Sequence, residues 1–455
     1  MIMQLPQALI NALTSISAFD AEAFVAAHNS YEPTVSIRLN PQKPASLHPL
    51  VPAGQVPWAE QGRYLDQRPQ FTLHPLLHAG AYYVQEPSSM FLEQFFKQHV
   101  NLNSPLTVLD LCAAPGGKST HIQSLLSADS VLVSNEVIKT RVPVLMENLT
   151  KWGARNALVT NNDAIDFGKL PHLFDAVVVD APCSGSGLFR KDANAINEWS
   201  EAAVEMCSQR QQRILADVWP ALKPGGLLLY ATCSYSPAEN ETIADWLVHH
   251  LGAHPLAVQV PDTWGIVETA SPLSGAPGYR FFPHLTQGEG FFVAAFRKPD
   301  SENNSTGFQP KIPAYKPHKT QIEACKPWMD IGADCLYQHE QQLFVMPEHS
   351  HRLFWALKTP LNIRKAGVKL GDLAHGHLLP DHALALSNRC LPQVQRVELP
   401  AELALQYLRK APVDVPSIQK GWQLVTHQQL PLGWIKNLGN RINNYYPADW
   451  RIRMA

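Results

Sequence analysis

Leu109-Asp110-Leu111-Cys112-Ala113-Ala114-Pro115-Gly116-Gly117-Lys118 is the stretch that decides the fold. An apolar run over Thr107–Leu111 reads as a buried strand, stops at a proline–glycine turn, and gives way to a helical stretch over Lys118–Leu126. The glycines let the backbone come close to a ligand. The start of the helix offers free N–H groups that suit a carboxylate or a phosphate. The turn is neither the G-x-G-x-x-G dinucleotide signature nor a P-loop.

Working outward, short apolar runs recur at Val131–Asn135, Ala157–Asn161, Ala176–Asp180 and Leu227–Ala231. Helical stretches lie at Lys139–Trp152, Ser200–Leu222 and Glu239–Leu251. Strand and helix in alternation predict an α/β architecture, a doubly wound parallel sheet covered by helices. Gly290–Phe296 reads as a late, antiparallel strand. Ligands of such sheets bind beyond the carboxyl ends of the strands, where strand order reverses. Glu136 closes the second run, Asp163 lies just past the third, and Asp180 closes the fourth. An acid roughly twenty residues past the glycine turn stands where a ribose diol is usually held.

Two of the seven cysteines also stand at strand ends. Cys183 lies in Asp180-Ala181-Pro182-Cys183-Ser184-Gly185, and Cys233 in Ala231-Thr232-Cys233-Ser234. Paired thiols beside a cofactor turn point to covalent catalysis. Cys207, Cys325, Cys335 and Cys390 read as packing residues, since free cysteine is among the most buried residue types.

The remaining composition narrows the class. The chain has 455 residues, 45% of them hydrophobic, enough for two or three cored domains. No apolar run of about 18 residues predicts a membrane span. An N-terminus without a basic region and an odd cysteine count without a C-x-x-C pair fit a cytoplasmic protein. The formal net charge is −2, yet Leu361–Ala455 holds 12 Lys/Arg against 6 Asp/Glu. A basic end on a neutral chain suits an RNA partner. Interleaved aromatics, amides and arginines from Trp434 through Arg441 and Trp450 to Arg453 suit stacking and phosphate contacts. Arg190 and Lys191, beside Phe189, read either as a phosphate clamp next to an extruded base or as an ordinary loop. Ser88 reads as a helix N-cap. His375, His377 and His382 have no cysteine partner near them, and no metal is expected.

Together the Cys112–Lys118, Asp180–Gly185 and Ala231–Ser234 motifs resemble those of the NOL1/NOP2/Sun family of RNA cytosine-5 methyltransferases. That family has a class I S-adenosylmethionine-dependent methyltransferase fold, a Rossmann-like doubly wound sheet. The resemblance implies S-adenosyl-L-methionine as cofactor, held by Cys112, Ala113, Ala114, Pro115, Gly116, Gly117, Lys118, Glu136, Asp163 and Asp180. It implies Cys233 as nucleophile toward carbon 6 of cytosine, Cys183 in product release, and Asp180 and Lys118 as their helpers. Arg38, Asn40, Tyr82, Tyr83 and Gln85 fall in what would be an N-terminal RNA-contacting module. The end of the chain resembles the PUA-like domain of bacterial small-subunit ribosomal RNA methyltransferases, which implies ribosomal RNA or the small ribosomal subunit as partner. The expected organisation is an N-terminal module over 1–87, a catalytic domain over 88–298, a linker over 299–320 and a PUA-like α+β region over 321–455, in a monomer. Transfer RNA as substrate, or a silent assembly factor, are the alternatives.

Overall fold

The computed structural model describes residues 4–454 apart from 17, 31–33, 193, 301–307, 309–315, 388, 414 and 416–418. Most of the expected linker, including Pro310 and Pro313, falls outside the described residues. Five parallel strands form the centre: β1 (Thr107–Asp110), β2 (Val131–Asn135), β3 (Ala157–Thr160), β4 (Phe174–Asp180) and β5 (Leu222–Thr232). The antiparallel strands β6 (Val267–Ala270), β7 (Pro277–Phe281) and β8 (Phe291–Arg297) extend one side, and β9 (Ile363–Ala366) closes the other. The order is β6-β7-β8-β5-β4-β1-β2-β3-β9, with the short strand His254–Leu256 also paired to β8. The chain steps outward from β1 to β3 and then returns beside β1 as β4. Strand order therefore reverses at β1, and the Cys112–Lys118 turn leaves its carboxyl end.

Successive strand residues face opposite sides, so a sheet covered on both faces needs two cores. Leu109, Val131, Val133, Val177, Val179, Leu228 and Tyr230 meet helices α3 (Glu201–Val218) and α4 (Glu241–Leu251) on one face. Their neighbours Val108, Leu132, Ala176, Val178, Leu227 and Leu229 meet Phe95, Phe96 and, from α1 (Gly117–Leu125), Ile122 on the other. This is why the strand runs read as almost continuous apolar stretches. α2 (Val142–Trp152) follows β2 after one turn of 3-10 helix over Lys139–Arg141. The helical expectation through Leu222 overshoots. α3 stops at Val218, Trp219–Ala221 tightens around Pro220, and β5 begins at Leu222. Ser88 is no cap either, since its hydroxyl donates to the Glu289 carbonyl at 3.1 Å.

Among the described residues there are three further sheets, each of four strands. One, near the N-terminus, contains Val35–Leu39, Gly62–Leu65 and Tyr82–Val84. The last contains Gly421–His427 and Leu430–Asn437. These two ends of the chain share one core, in which Ile37, Leu76 and Tyr82 pack with Tyr407, Leu432 and Tyr446. The remaining sheet lies between them in sequence and includes Gln342–Met346 and Val368–Ala374. The downstream region is also knitted into the central sheet. β9 pairs with β3, and Leu353, Phe354 and Leu357 of helix Glu348–Leu357 fill the core beneath it. Among the described residues no helix is long and apolar enough to cross a membrane.

Candidate active site

β4 and β5 are adjacent and parallel, so the segments leaving their carboxyl ends emerge side by side. Cys183 follows β4 after Ala181 and Pro182, and Cys233 follows β5 directly. Their sulfurs lie 3.0 Å apart, and both thiols are free. The bond with Cys233 and burial push the Cys183 thiol well above its ordinary range. Gly187 locks the two segments together by donating its N–H to the Cys233 carbonyl at 2.8 Å.

The turn after β1 bends at Gly116, whose φ of +115° favours glycine. Ala113 donates its N–H to the Asn135 carbonyl at 2.8 Å, which ties the turn to the end of β2. Arg141 donates to the Ala114 carbonyl and Asn148 to that of Pro115, so protein contacts hold the turn. In the first turn of α1, Lys118 Nζ lies 2.6 Å from Asp180 Oδ2 and 5.1 Å from the centre of the Phe291 ring. Burial alone would lower the Lys118 pKa, but the Asp180 charge and hydrogen bond outweigh it and hold the ammonium above its ordinary range. Below the turn, Asp110 accepts from Ser119 at 2.6 Å, its second oxygen is unpartnered, and burial pushes its carboxyl up to about 7. Burial and the charges of Asp110 and Asp180 push up the Cys112 thiol, which leaves it unsuited to nucleophilic work.

Cys233, Lys118, Asp180 and most of the turn open on one cavity of about 480 Å³, a size usual for small-molecule sites. Cys112, Ala113, Ala114, Pro115, Gly117, Lys118, Asp180 and Cys233 line it. Across it stand Tyr83 of the N-terminal sheet and Gln85, just past the end of its strand. A Cβ on Gly117 would lie 3.3 Å from the Tyr83 ring, so glycine keeps the entrance open. Free N–H groups at the start of α1, a carboxylate at Asp180 and apolar walls fit S-adenosyl-L-methionine. Gly116, Cys183, Glu136 and Asp163 lie outside the lining. Glu136 is buried, accepts from the Ile138 N–H at 2.8 Å and faces Arg141 at 3.5 Å. Asp163 caps the helix Ala164–Gly168 and faces Arg213 at 3.4 Å.

Several expected RNA-facing residues are interior instead. Arg38 is fully buried, donates to Gln85 at 2.8 Å and Thr120 at 2.6 Å, and stacks 4.4 Å from the Trp152 ring. Burial lowers its pKa to about 9, so it stays a cation and clamps the N-terminal sheet onto α1. Asn40 does the same for α2, donating to the Trp152 carbonyl at 3.0 Å. Phe189 and Trp434 are core residues, and Arg190 is turned toward Glu289 at 3.6 Å. Of that loop, Lys191 stays exposed at the cavity mouth. His382 packs edge-on against Tyr446 and Trp450, and no metal-ligand cluster occurs among the described residues. Sequence reasoning missed Arg141, Glu289 and Phe291 as lining residues, and Glu239 altogether. For Glu289 and Phe291 the available signal was Gly290, at the head of a strand whose start pairs with the carboxyl end of β5.

Three family models match the chain: the N-terminal domain of 16S rRNA methyltransferase RsmF over 5–87, 16S rRNA methyltransferase RsmB/F over 98–297, and the methyltransferase RsmF PUA domain over 394–452. Ribosomal RNA small subunit methyltransferase F of Erwinia tasmaniensis is 30% identical over 87% of this chain and 84% of its own length. The protein of that name from Cronobacter sakazakii is 30% identical over 91% and 89%. Among solved structures, a methyltransferase homolog from Pyrococcus horikoshii is 26% identical, covers 65% of this chain and 100% of its own, and has a TM-score of 0.52. NSun6 from the same organism, at 18% identity, 66% and 100% coverage and a TM-score of 0.54, shares the fold.

Proposed function

Because the chain belongs to the ribosomal RNA small subunit methyltransferase F family, with S-adenosyl-L-methionine as its methyl donor, we propose that it methylates carbon 5 of a cytosine in 16S ribosomal RNA through a covalent Cys233 adduct. The observation that carries this reading is Cys233 in the lining of the cavity that also holds Lys118 and Asp180, with the Cys183 sulfur 3.0 Å behind it.

Carbon 5 of cytosine is a weak nucleophile. The Cys233 thiol gives its proton to solvent and its sulfur adds to carbon 6 as thiolate, which places electron density on carbon 5. S-adenosyl-L-methionine, when bound, supplies an electrophilic methyl group. Carbon 5 gains the methyl, loses its proton to a base, and the returning electron pair breaks the bond between sulfur and carbon 6. Asp180, held by Lys118, faces the cavity with an oxygen free to take the cytosine edge. Lys118, held above its ordinary range by the Asp180 charge and hydrogen bond, brings a cation to the cavity that Cys233 also lines. Cys183 suits the proton-removing step once its own proton has passed to solvent: as thiolate it takes the carbon-5 proton and becomes a thiol. The bond that most raises its pKa is the one to Cys233, and that bond is lost once Cys233 is joined to the base. Cys183 is thereby released to act as the second sulfur reacts, and its role in freeing product follows.

Glu136, reached through Arg141, and Asp163 complete the cofactor side of the same proposal. So do a PUA-like RNA-binding end and action as a cytoplasmic monomer on the small subunit. Bisulfite sequencing of 16S ribosomal RNA and transfer RNA treated with the protein and cofactor tests it. The expected result is a protected cytosine in 16S RNA alone. Methyl transfer without any protected cytosine would refute carbon 5 as the acceptor.

A further inference from the structure

Glu239 is fully buried at the end of the turn Pro237–Glu239, just before α4. Its two oxygens gather four donors. Oε1 accepts from the Ser184 N–H at 2.8 Å and from Gln211 at 3.2 Å. Oε2 accepts from the Ser184 hydroxyl and from the Ser234 hydroxyl, each at 2.5 Å. Ser184 is the chain neighbour of Cys183, and Ser234 that of Cys233. One carboxylate therefore spans the two thiol-bearing segments.

The surrounding bonds point the same way. Gln211, from α3, also donates to the Pro182 carbonyl at 3.1 Å. Asn240, next to Glu239, accepts from the Thr232 hydroxyl at 2.7 Å and donates to the Ser234 carbonyl at 2.8 Å. Tyr230 on β5 donates to the Glu239 carbonyl at 2.6 Å. Glu239 and the two serines do not line the cavity, and both carboxylate oxygens are taken by protein donors, so the carboxylate acts through the thiol-bearing segments.

We propose that Glu239 is the positioning residue of this site, setting the spacing and aim of Cys183 and Cys233 by binding Ser184 and Ser234 at once. The inference deepens the cytosine-5 reading and rests on it for its catalytic consequence. A buried acceptor serving several donors is costly to remove, because each hydroxyl and N–H then lacks a partner in a site closed to water. The charge of Glu239 also adds to the bond with Cys233 and the burial that hold the Cys183 thiol above its ordinary range.

The spacing of the thiols has a readout that needs no methylation. Diamide takes the two thiol hydrogens and leaves a disulfide, and this requires sulfurs brought to about 2.05 Å. In the full-length protein, a Cys183–Cys233 linked peptide, followed by mass spectrometry, should form quickly. Glu239→Ala should slow the crosslink by at least about tenfold and lower kcat by a similar factor, with KM for the cofactor unchanged within about twofold. Glu239→Gln, which keeps the size but presents an amide N–H to a serine, should fall between. Should Glu239→Ala not fold, the double variant Ser184→Ala with Ser234→Ala removes the same ties and is expected to slow the crosslink equally. Crosslinking at the parent rate in the double variant or in folded Glu239→Ala would overturn the proposal. A failure of the cytosine-5 reading would instead appear in the parent's bisulfite pattern while the crosslink rates still separated.

Discussion

Gly187→Ala is the sharpest test of how the two thiols are brought into register. A Cβ there would sit 2.5 Å from the Gly290 carbonyl oxygen and 2.7 Å from that of Cys233. Both neighbours are backbone, so neither yields as a flexible side chain does. Restoring an ordinary contact of 3.4 Å from 2.5 Å moves one segment by about 0.9 Å. That shift also strains the 2.8 Å bond from the Gly187 N–H to the Cys233 carbonyl. Overpacking of this kind costs about 1–3 kcal/mol of stability. A misplacement near 1 Å costs about 100-fold in rate, equivalent to about 2.7 kcal/mol of activation free energy. The assay is methyl transfer from labelled cofactor to 16S RNA, with cofactor affinity and thermal unfolding measured alongside. We expect kcat to fall by about two orders of magnitude and cofactor affinity to hold, since the Cys112–Lys118 turn is untouched. A folded variant with kcat within about threefold of the parent would refute the reasoning that backbone contact sets the thiol register.

Three further outcomes are expected. Cys233→Ala abolishes methylation, whereas Cys183→Ala accumulates a gel-stable covalent RNA adduct; adducts only with Cys233→Ala would exchange the roles. Asp110 has a folded pKa of about 7 against an ordinary 3.8, so the folded state holds the extra proton in that window. Its contribution is complete below the unfolded value and is lost as pH rises through about 7, so Asp110→Asn should flatten the fall in unfolding free energy, read by urea titration across that range. Lys191→Ala, at the exposed cavity mouth, should weaken RNA binding and reduce the slope of log K against log salt by about 1, while cofactor affinity is unchanged.

How far the chain could be read as a string depends on whether a feature is local. The apolar runs at Val131–Asn135 and Ala176–Asp180 became β2 and the end of β4, because a strand buried on both faces needs continuous apolar sequence. The glycine turn was legible because a left-handed φ at Gly116 and a close approach at Gly117 demand glycine. Cys183 and Cys233 were legible as strand-end thiols. Arg38, Asn40 and Phe189 were not legible as interior residues. A cation beside aromatics reads alike whether it grips RNA or is clamped against Trp152 and Thr120.

The sequence by itself determined the alternation that makes a doubly wound sheet, the turn that closes β1, and the residue types that chemistry needs at the strand ends. These depend on spacing within a few residues. Only the tertiary structure decided that the two thiols touch, that Glu239 ties their neighbours together, that β9 completes the central sheet from far downstream, and that both ends of the chain share one core. Each of those rests on contacts between segments far apart in the chain. Such contacts are set by which faces the sheet and its helices bury against one another, and no local pattern records that choice.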